Sequence, residues 1–178
     1  MIKLKTKYIF TFCLVLILAA CKNDNAQDED RLSDRQRVRQ ALEASNIELL
    51  SIEDQEIEDF INRHGLETKE TGSGLRYQIL EHGNGIKAEK DMIAVINYRI
   101  RLLTGDVIYS SDKEDPKNFR IGRGGVESGL EEGILLLSKG DKAIFIMPAH
   151  LAHGVPGDGV KIPKRAAIVY DIELIDLK

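Results

Sequence analysis

His150 and His153 stand three residues apart, with Asp158 a little further on, a set that could sketch a metal site. The bland alternative is two histidines in a loop, and with no cysteine nearby to extend the set we expect no metal. Glu131-Glu132 offers paired carboxylates for proton transfer, although acids in the first turn of a helix ordinarily serve its positive end. No Gly-x-Ser-x-Gly elbow and no phosphate-binding loop occurs, so covalent acyl chemistry and nucleotide chemistry lose their usual equipment. Tyr98 and Tyr170 lie on apolar, strand-like stretches whose alternation points both rings inward.

The elements that must position those rings follow from periodicity. In residues 92–102, Met92, Ala94, Ile96, Tyr98, Ile100 and Leu102 share one face, against Asn97, Arg99 and Arg101 on the other. Thr104-Gly105-Asp106 turns the chain into Val107-Ile108-Tyr109-Ser110. Phe119-Arg120-Ile121-Gly122 reads as a strand leaving through glycines into a short helix, along which Val126, Leu130, Ile134 and Leu137 follow a 3.6-residue period. Lys139-Gly140-Asp141 is a turn. A closing strand runs from Ile168 through Tyr170 to Leu174. Strands around one helix, without β-α-β alternation, predict an α+β fold: a curved antiparallel sheet wrapped around one short helix.

Ahead of this domain, Ser33-Asp34-Arg35-Gln36 has the pattern of a helix-capping box. Val38, Ala41, Leu42 and Leu49 form a thin apolar stripe behind it, and Ile57, Phe60 and Ile61 share one face of a second helix that stops at Gly65. Residues 33–65 are therefore expected as a helical extension that packs on the domain as a spacer; a dimerisation or client-gripping arm is the alternative. Residues 21–32 read as a polar tether.

The chain opens with Lys3, Lys5 and Lys7, an apolar run from Tyr8 to Leu18, and then Leu18-Ala19-Ala20-Cys21. The run is too short to span a membrane, which takes ~20 apolar residues, and it fits a removable signal segment over residues 1–20. Leu-Ala-Ala-Cys resembles the bacterial lipoprotein cleavage box, which implies an acyl chain on Cys21 and an anchor on a membrane outside the cytoplasm, the periplasmic side of an outer membrane by preference. Cys13 leaves with the signal and Cys21 is capped, so no thiol remains for a disulfide or a zinc site. The formal charge of −4 becomes more negative once the signal lysines are gone. No basic cluster stands out, which argues against nucleic acid as a partner.

Val126-Glu127-Ser128-Gly129-Leu130-Glu131-Glu132-Gly133, with the strands and turns around it, resembles the FKBP family of peptidyl-prolyl cis-trans isomerases. The likeness covers roughly residues 86–178 of a domain expected over 66–178, and the chain also resembles bacterial envelope lipoproteins of the Bacteroidetes type, including gliding-motility-associated members. The resemblance implies catalytic roles for Tyr98, Phe119, Val126, Glu127, His153 and Tyr170, with the backbone N–H of Glu127 gripping a carbonyl. It implies a substrate-binding lining of Ile108, Tyr109, Leu130 and Ile162. Four positions depart from the family pattern: Leu130 replaces a floor tryptophan, Tyr109 an aspartate, Glu127 an isoleucine and His153 a tyrosine. These imply weakened macrolide binding and modest activity on proline-containing polypeptide clients. The rim of Val126, Ile108 and Ile162 suggests an apolar residue before the proline, with Glu127 repelling acidic ones. The alternative is a weak or inactive binding module, or chaperone, in an envelope complex.

Overall fold

Residues 24–64 hold neither glycine nor proline, and the backbone responds by forming one continuous helix, α1 (Asp24–His64). The computed structural model describes residues 24–178. The signal segment of residues 1–20 and the lipidation site Cys21 lie outside the described residues. The helix corrects two expectations. Most of the polar stretch read as a tether is helical, and Ser33 lies inside the helix rather than capping it. The two helices expected over 33–65 are one, because nothing between them breaks the backbone ladder; without a glycine or proline the helical state propagates.

The chain divides into two units, Met1–Leu50 and Ser51–Lys178. In the first, Val38, Leu42 and Leu49 are exposed. Arg39 pairs with Glu43 one turn on, at 2.8 Å, the kind of surface pair worth a few tenths of a kcal/mol.

The second unit begins inside the last turns of α1, where Ile57, Phe60 and Ile61 are buried. Gly65, at φ +60°, closes the helix: its N–H reaches the carbonyl of Asn62 and that of Leu66 reaches Ile61. Only a residue tolerant of left-handed backbone makes that double stop without strain. Seven strands follow: β1 (Lys69–Glu70), β2 (Arg76–Glu81), β3 (Ile93–Leu102), β4 (Val107–Ser110), β5 (Lys117–Arg120), β6 (Lys142–Met147) and β7 (Ile168–Leu177). They form one antiparallel sheet in the order β1-β2-β6-β7-β3-β4, with β5 also on β3. The other helix, α2 (Ser128–Ile134), lies between β5 and β6 in sequence.

Two features of this sheet matter for the site. The first is that β3 shares one edge between two partners: Ile93–Ile96 pair with β5 and Arg99–Arg101 with β4. At the junction, Ser111 takes over, its N–H reaching the Tyr98 carbonyl at 2.9 Å while its hydroxyl accepts the Tyr98 N–H at 3.0 Å. Tyr98 is thereby held where two strands part.

The second is that both faces of β6 are covered. Ala143, Phe145 and Met147 join the main core with Leu130, Ile134 and Tyr170. Ile144 and Ile146 pack with Val169 against Ile57, Phe60 and Ile61 of α1. Ala94, Ile96, Tyr98 and Ile100 are buried as the alternation predicts. Helix α2 comes so close to β6 that a Cβ on Gly133 would overlap the Phe145 ring, which explains a glycine in the middle of a short helix.

Candidate functional site

Tyr98 and Tyr170 come from neighbouring strands. The register pairs Tyr98 with Ile172 and Ile100 with Tyr170, so the two tyrosines are diagonal neighbours on one face. Their ring centroids are 6.1 Å apart. Leu130 and Ile162 are buried in the same core cluster, with Phe119 beside them and Ile108, Tyr109 and Val126 partly buried against it. These side chains thus all belong to the main core or pack against it, and Leu130 is wholly enclosed within it.

Glu127 sits at the N-cap of α2, in extended backbone at φ −58° and ψ 141°. Its carbonyl accepts the N–H groups of Leu130 and Glu131, each at 3.0 Å. Among the described residues its own N–H has no acceptor. Its side chain does not point to solvent; only 8% of it is exposed. The Tyr170 hydroxyl donates to Oε1 at 2.9 Å, and His153 Nε2 lies 3.2 Å from the same oxygen.

The residue that sequence reasoning missed is Lys117. Its ammonium donates to the Tyr170 hydroxyl at 3.0 Å and stands 3.8 Å from Glu127 Oε2. It also lies over both aromatic rings, 5.0 Å from the Tyr98 centroid and 5.5 Å from that of Tyr170. A signal was available: Lys117 is two residues before Phe119 on the same strand, and residues two apart share a face.

Carboxylates hold the remaining hydroxyls. Tyr98 donates to Glu114 at 2.6 Å, and Tyr109 to Asp158 at 2.5 Å. The other Asp158 oxygen accepts three consecutive backbone N–H groups, from Val160, Lys161 and Ile162, at 2.8–2.9 Å. That turn brings Ile162 into the core cluster. The hydroxyl of Tyr109, then those N–H groups, hold the Asp158 carboxyl well below the usual range.

The pairs that first suggested chemistry are dispersed. His150 Nε2 pairs with the Ser73 carbonyl at 2.9 Å, far from His153 in partner and role. Glu131 takes the N–H groups of Gly122 and Gly124, fastening the glycine-rich loop to α2. Glu132 accepts the Ser73 hydroxyl at 2.6 Å. A shallow recess on the sheet is lined by Leu80, Asn97, Tyr98, Arg99, Asp112 and Glu173. Its charges are mutually satisfied, Arg99 on Asp112 at 2.9 Å and Asn97 on Glu173 at 3.1 Å.

Burial, followed by the hydrogen bond to Glu114, pushes the Tyr98 phenol up to about 12. The hydrogen bond to Asp158, followed by burial, pushes Tyr109 up to about 12. Burial and the Glu127 charge raise Tyr170 further. All three are neutral donors at physiological pH. Unfolded tyrosine titrates near 10, so above that pH the unfolded chain binds fewer protons than the folded one and stability falls as pH rises. Thermal melts should show Tm declining between about pH 10 and 12. Tyr98→Phe and Tyr109→Phe should each flatten that decline; an unchanged slope in both would show that these hydroxyls are not held as described.

A family profile described as FKBP-type peptidyl-prolyl cis-trans isomerase matches residues 84–175. The chain is 37% identical over 110 residues to a probable FKBP-type peptidyl-prolyl cis-trans isomerase FkpA of Neisseria meningitidis, covering 61% of this chain and 40% of that protein. With FkpA of Escherichia coli it shares 31% identity over 180 residues, covering 90% of this chain and 63% of the relative. The crystal structure of the Escherichia coli protein superposes with a TM-score of 0.64 at 26% identity, over 98% of this chain and 82% of that one. The chain thus spans less than two thirds of the length of these two relatives. A profile that takes in more than half the chain, on a curved antiparallel sheet enclosing a short helix with Tyr98, Tyr170 and the N-cap of α2 gathered on one face, leads to one conclusion: the chain belongs to the FKBP-type peptidyl-prolyl cis-trans isomerase family.

Proposed function

We propose that this protein is a peptidyl-prolyl cis-trans isomerase acting on proteins that fold in the cell envelope, held at a membrane by an acyl chain on Cys21. The observation that carries the catalytic reading is the pairing of the Tyr98 and Tyr170 rings, 6.1 Å apart, with an uncommitted N–H on Glu127 at the start of α2. Planarity of the prolyl amide comes from resonance, and its rotation barrier is ~18–20 kcal/mol. An apolar wall around the ring favours the twisted amide, whose carbonyl oxygen has lost the resonance charge that water solvates in the planar form. A donor such as the Glu127 N–H would hold a neighbouring carbonyl of the client and fix its position while the bond turns. Each ~1.4 kcal/mol of preference for the twisted form is tenfold in rate. Tyr98, Phe119, Val126 and Tyr170 would form the wall, and Ile108, Tyr109, Leu130 and Ile162 the contacts around it.

The test is the exchange rate of proline peptides with the full chain in detergent, folding checked by circular dichroism. Accelerated exchange is the expected result; the uncatalysed rate across several peptides would overturn the reading. One observation favours a second reading, a client-holding module without catalysis: the Lys117 ammonium already lies on both aromatic faces. The envelope location and the outer-membrane anchor rest on the Leu18-Ala19-Ala20-Cys21 box. No helix among the described residues is long and apolar enough to cross a membrane. Cys21→Ser should release the protein from the membrane fraction or block its maturation. Mass spectrometry that finds an unmodified Cys21 in native membranes would end the anchoring proposal.

A further inference from the structure

Lys117 is a cation resting on two tyrosine faces beside a carboxylate, and that arrangement describes a binding site with its ligand already inside. The ammonium lies 5.0 Å and 5.5 Å from the ring centroids of Tyr98 and Tyr170, within the range of a cation–aromatic attraction. Its counterion, Glu127, has a side chain that is only 8% exposed, while that of Lys117 is 27% exposed. Glu127 Oε2 is buried and has no hydrogen-bond partner; the ammonium nearest to it stops at 3.8 Å. The other carboxylate oxygen is satisfied by Tyr170 and faces His153.

A client that reaches these aromatic faces must displace the ammonium. If an apolar group takes its place, the buried Glu127 carboxylate keeps Tyr170 and His153 at Oε1 but loses the ammonium nearest to Oε2, a costly outcome for an enclosed charge. An acidic group would add a second carboxylate beside the first. A group carrying its own ammonium or guanidinium restores the lost pairing, keeps the attraction to both rings, and can supply the hydrogen bond that Oε2 lacks. We infer that this site selects polypeptide segments with lysine or arginine immediately before the proline, that Glu127 is the specificity-determining residue, and that Lys117 is an intramolecular stand-in for the client's cation. The inference rests on the isomerase reading for the proline itself. It replaces the apolar preference suggested by Val126, Ile108 and Ile162, because leaving a buried carboxylate without its cation outweighs the gain of one apolar contact.

The experiment compares peptides differing only in the residue before proline (lysine, arginine, leucine or glutamate) with the full chain in detergent, reading both exchange rates and Kd by NMR titration. The lysine and arginine peptides should exceed leucine by at least about fivefold in kcat/KM, the scale of a partly desolvated cation–aromatic contact, with glutamate lowest. In Glu127→Leu the order of lysine and leucine should invert. In Lys117→Ala, which removes the competing ammonium, the lysine peptide should gain more than the leucine peptide. Equal or better turnover of leucine by the wild-type protein, or an unaltered ratio in Glu127→Leu, overturns the inference. If neither variant folds, the wild-type Kd ratio decides alone, and a lysine peptide that binds no better than leucine refutes it. If no peptide is turned over, the isomerase reading fails, and the same Kd ratio still decides for or against the cation site.

Discussion

A Tyr170→Ala variant is expected to lose at least about tenfold in kcat/KM on proline peptides, a loss of ~1.4 kcal/mol in transition-state stabilisation. Tyr170 supplies one of the two aromatic faces, anchors Lys117 through its hydroxyl and donates to Glu127. Its removal therefore takes away contact area and releases both charged groups at once. The residue is also fully buried, so folding must be measured alongside activity. Tyr170→Phe separates the two contributions, since it keeps the ring and deletes only the hydroxyl. It should lose less than the alanine variant while freeing Glu127 and Lys117 from their shared partner. If Tyr170→Ala, shown folded, turns over peptides at the wild-type rate, the ring is core packing and not part of the site.

The largest effect on stability is expected from Phe60→Ala, at ~3–5 kcal/mol for deleting a buried phenylalanine. Marginal domains hold only ~5–15 kcal/mol in total. Phe60 is completely enclosed with Ile57 and Ile61 against Ile144, Ile146 and Val169. Its ring stacks on His64 at 4.0 Å, and the Arg101 guanidinium lies 5.9 Å from its centroid. A second fastening lies nearby: Arg76, largely buried, is held by Asp54, by Glu58 at 3.2 Å and by Glu70 at 3.8 Å. The denaturant midpoint should fall, and amide protection should drop first over residues 57–64, because the ion pairs of Arg76 alone cannot replace the lost burial. A change below about half a kcal/mol, the size of an ordinary surface substitution, would mean that the end of α1 is not seated on the sheet as described.

Much of the domain follows from local patterning. The alternation in residues 92–102 placed Ala94, Ile96, Tyr98 and Ile100 inward, and all four are buried. Gly65 announced the end of α1 because a left-handed stop needs a residue without a Cβ. The short apolar period around Leu130 and Ile134 identified the helix that the sheet encloses. Each of these is a short-range property, set by backbone sterics and by which side of an element repels water, and so it is written in consecutive residues.

Other features depend on what meets what. The unbroken run of α1 is local, yet whether its apolar residues are covered is not: Val38 and Leu42 are exposed, whereas Ile57 and Phe60 are enclosed by strands 80 or more residues away. The same helix end buries Ile144 and Ile146, which turns β6 from a half-buried strand into one covered on both faces. The site shows the limit most clearly. Lys117 looks like a surface lysine in the sequence, and Glu127 like an acid at a helix start. Only the folded sheet brings Lys117 over Tyr98 and Tyr170 and turns Glu127 inward to meet it. Charge pairing of this kind depends on distance through space and on exclusion of water, and neither quantity exists until the strands have closed around the helix.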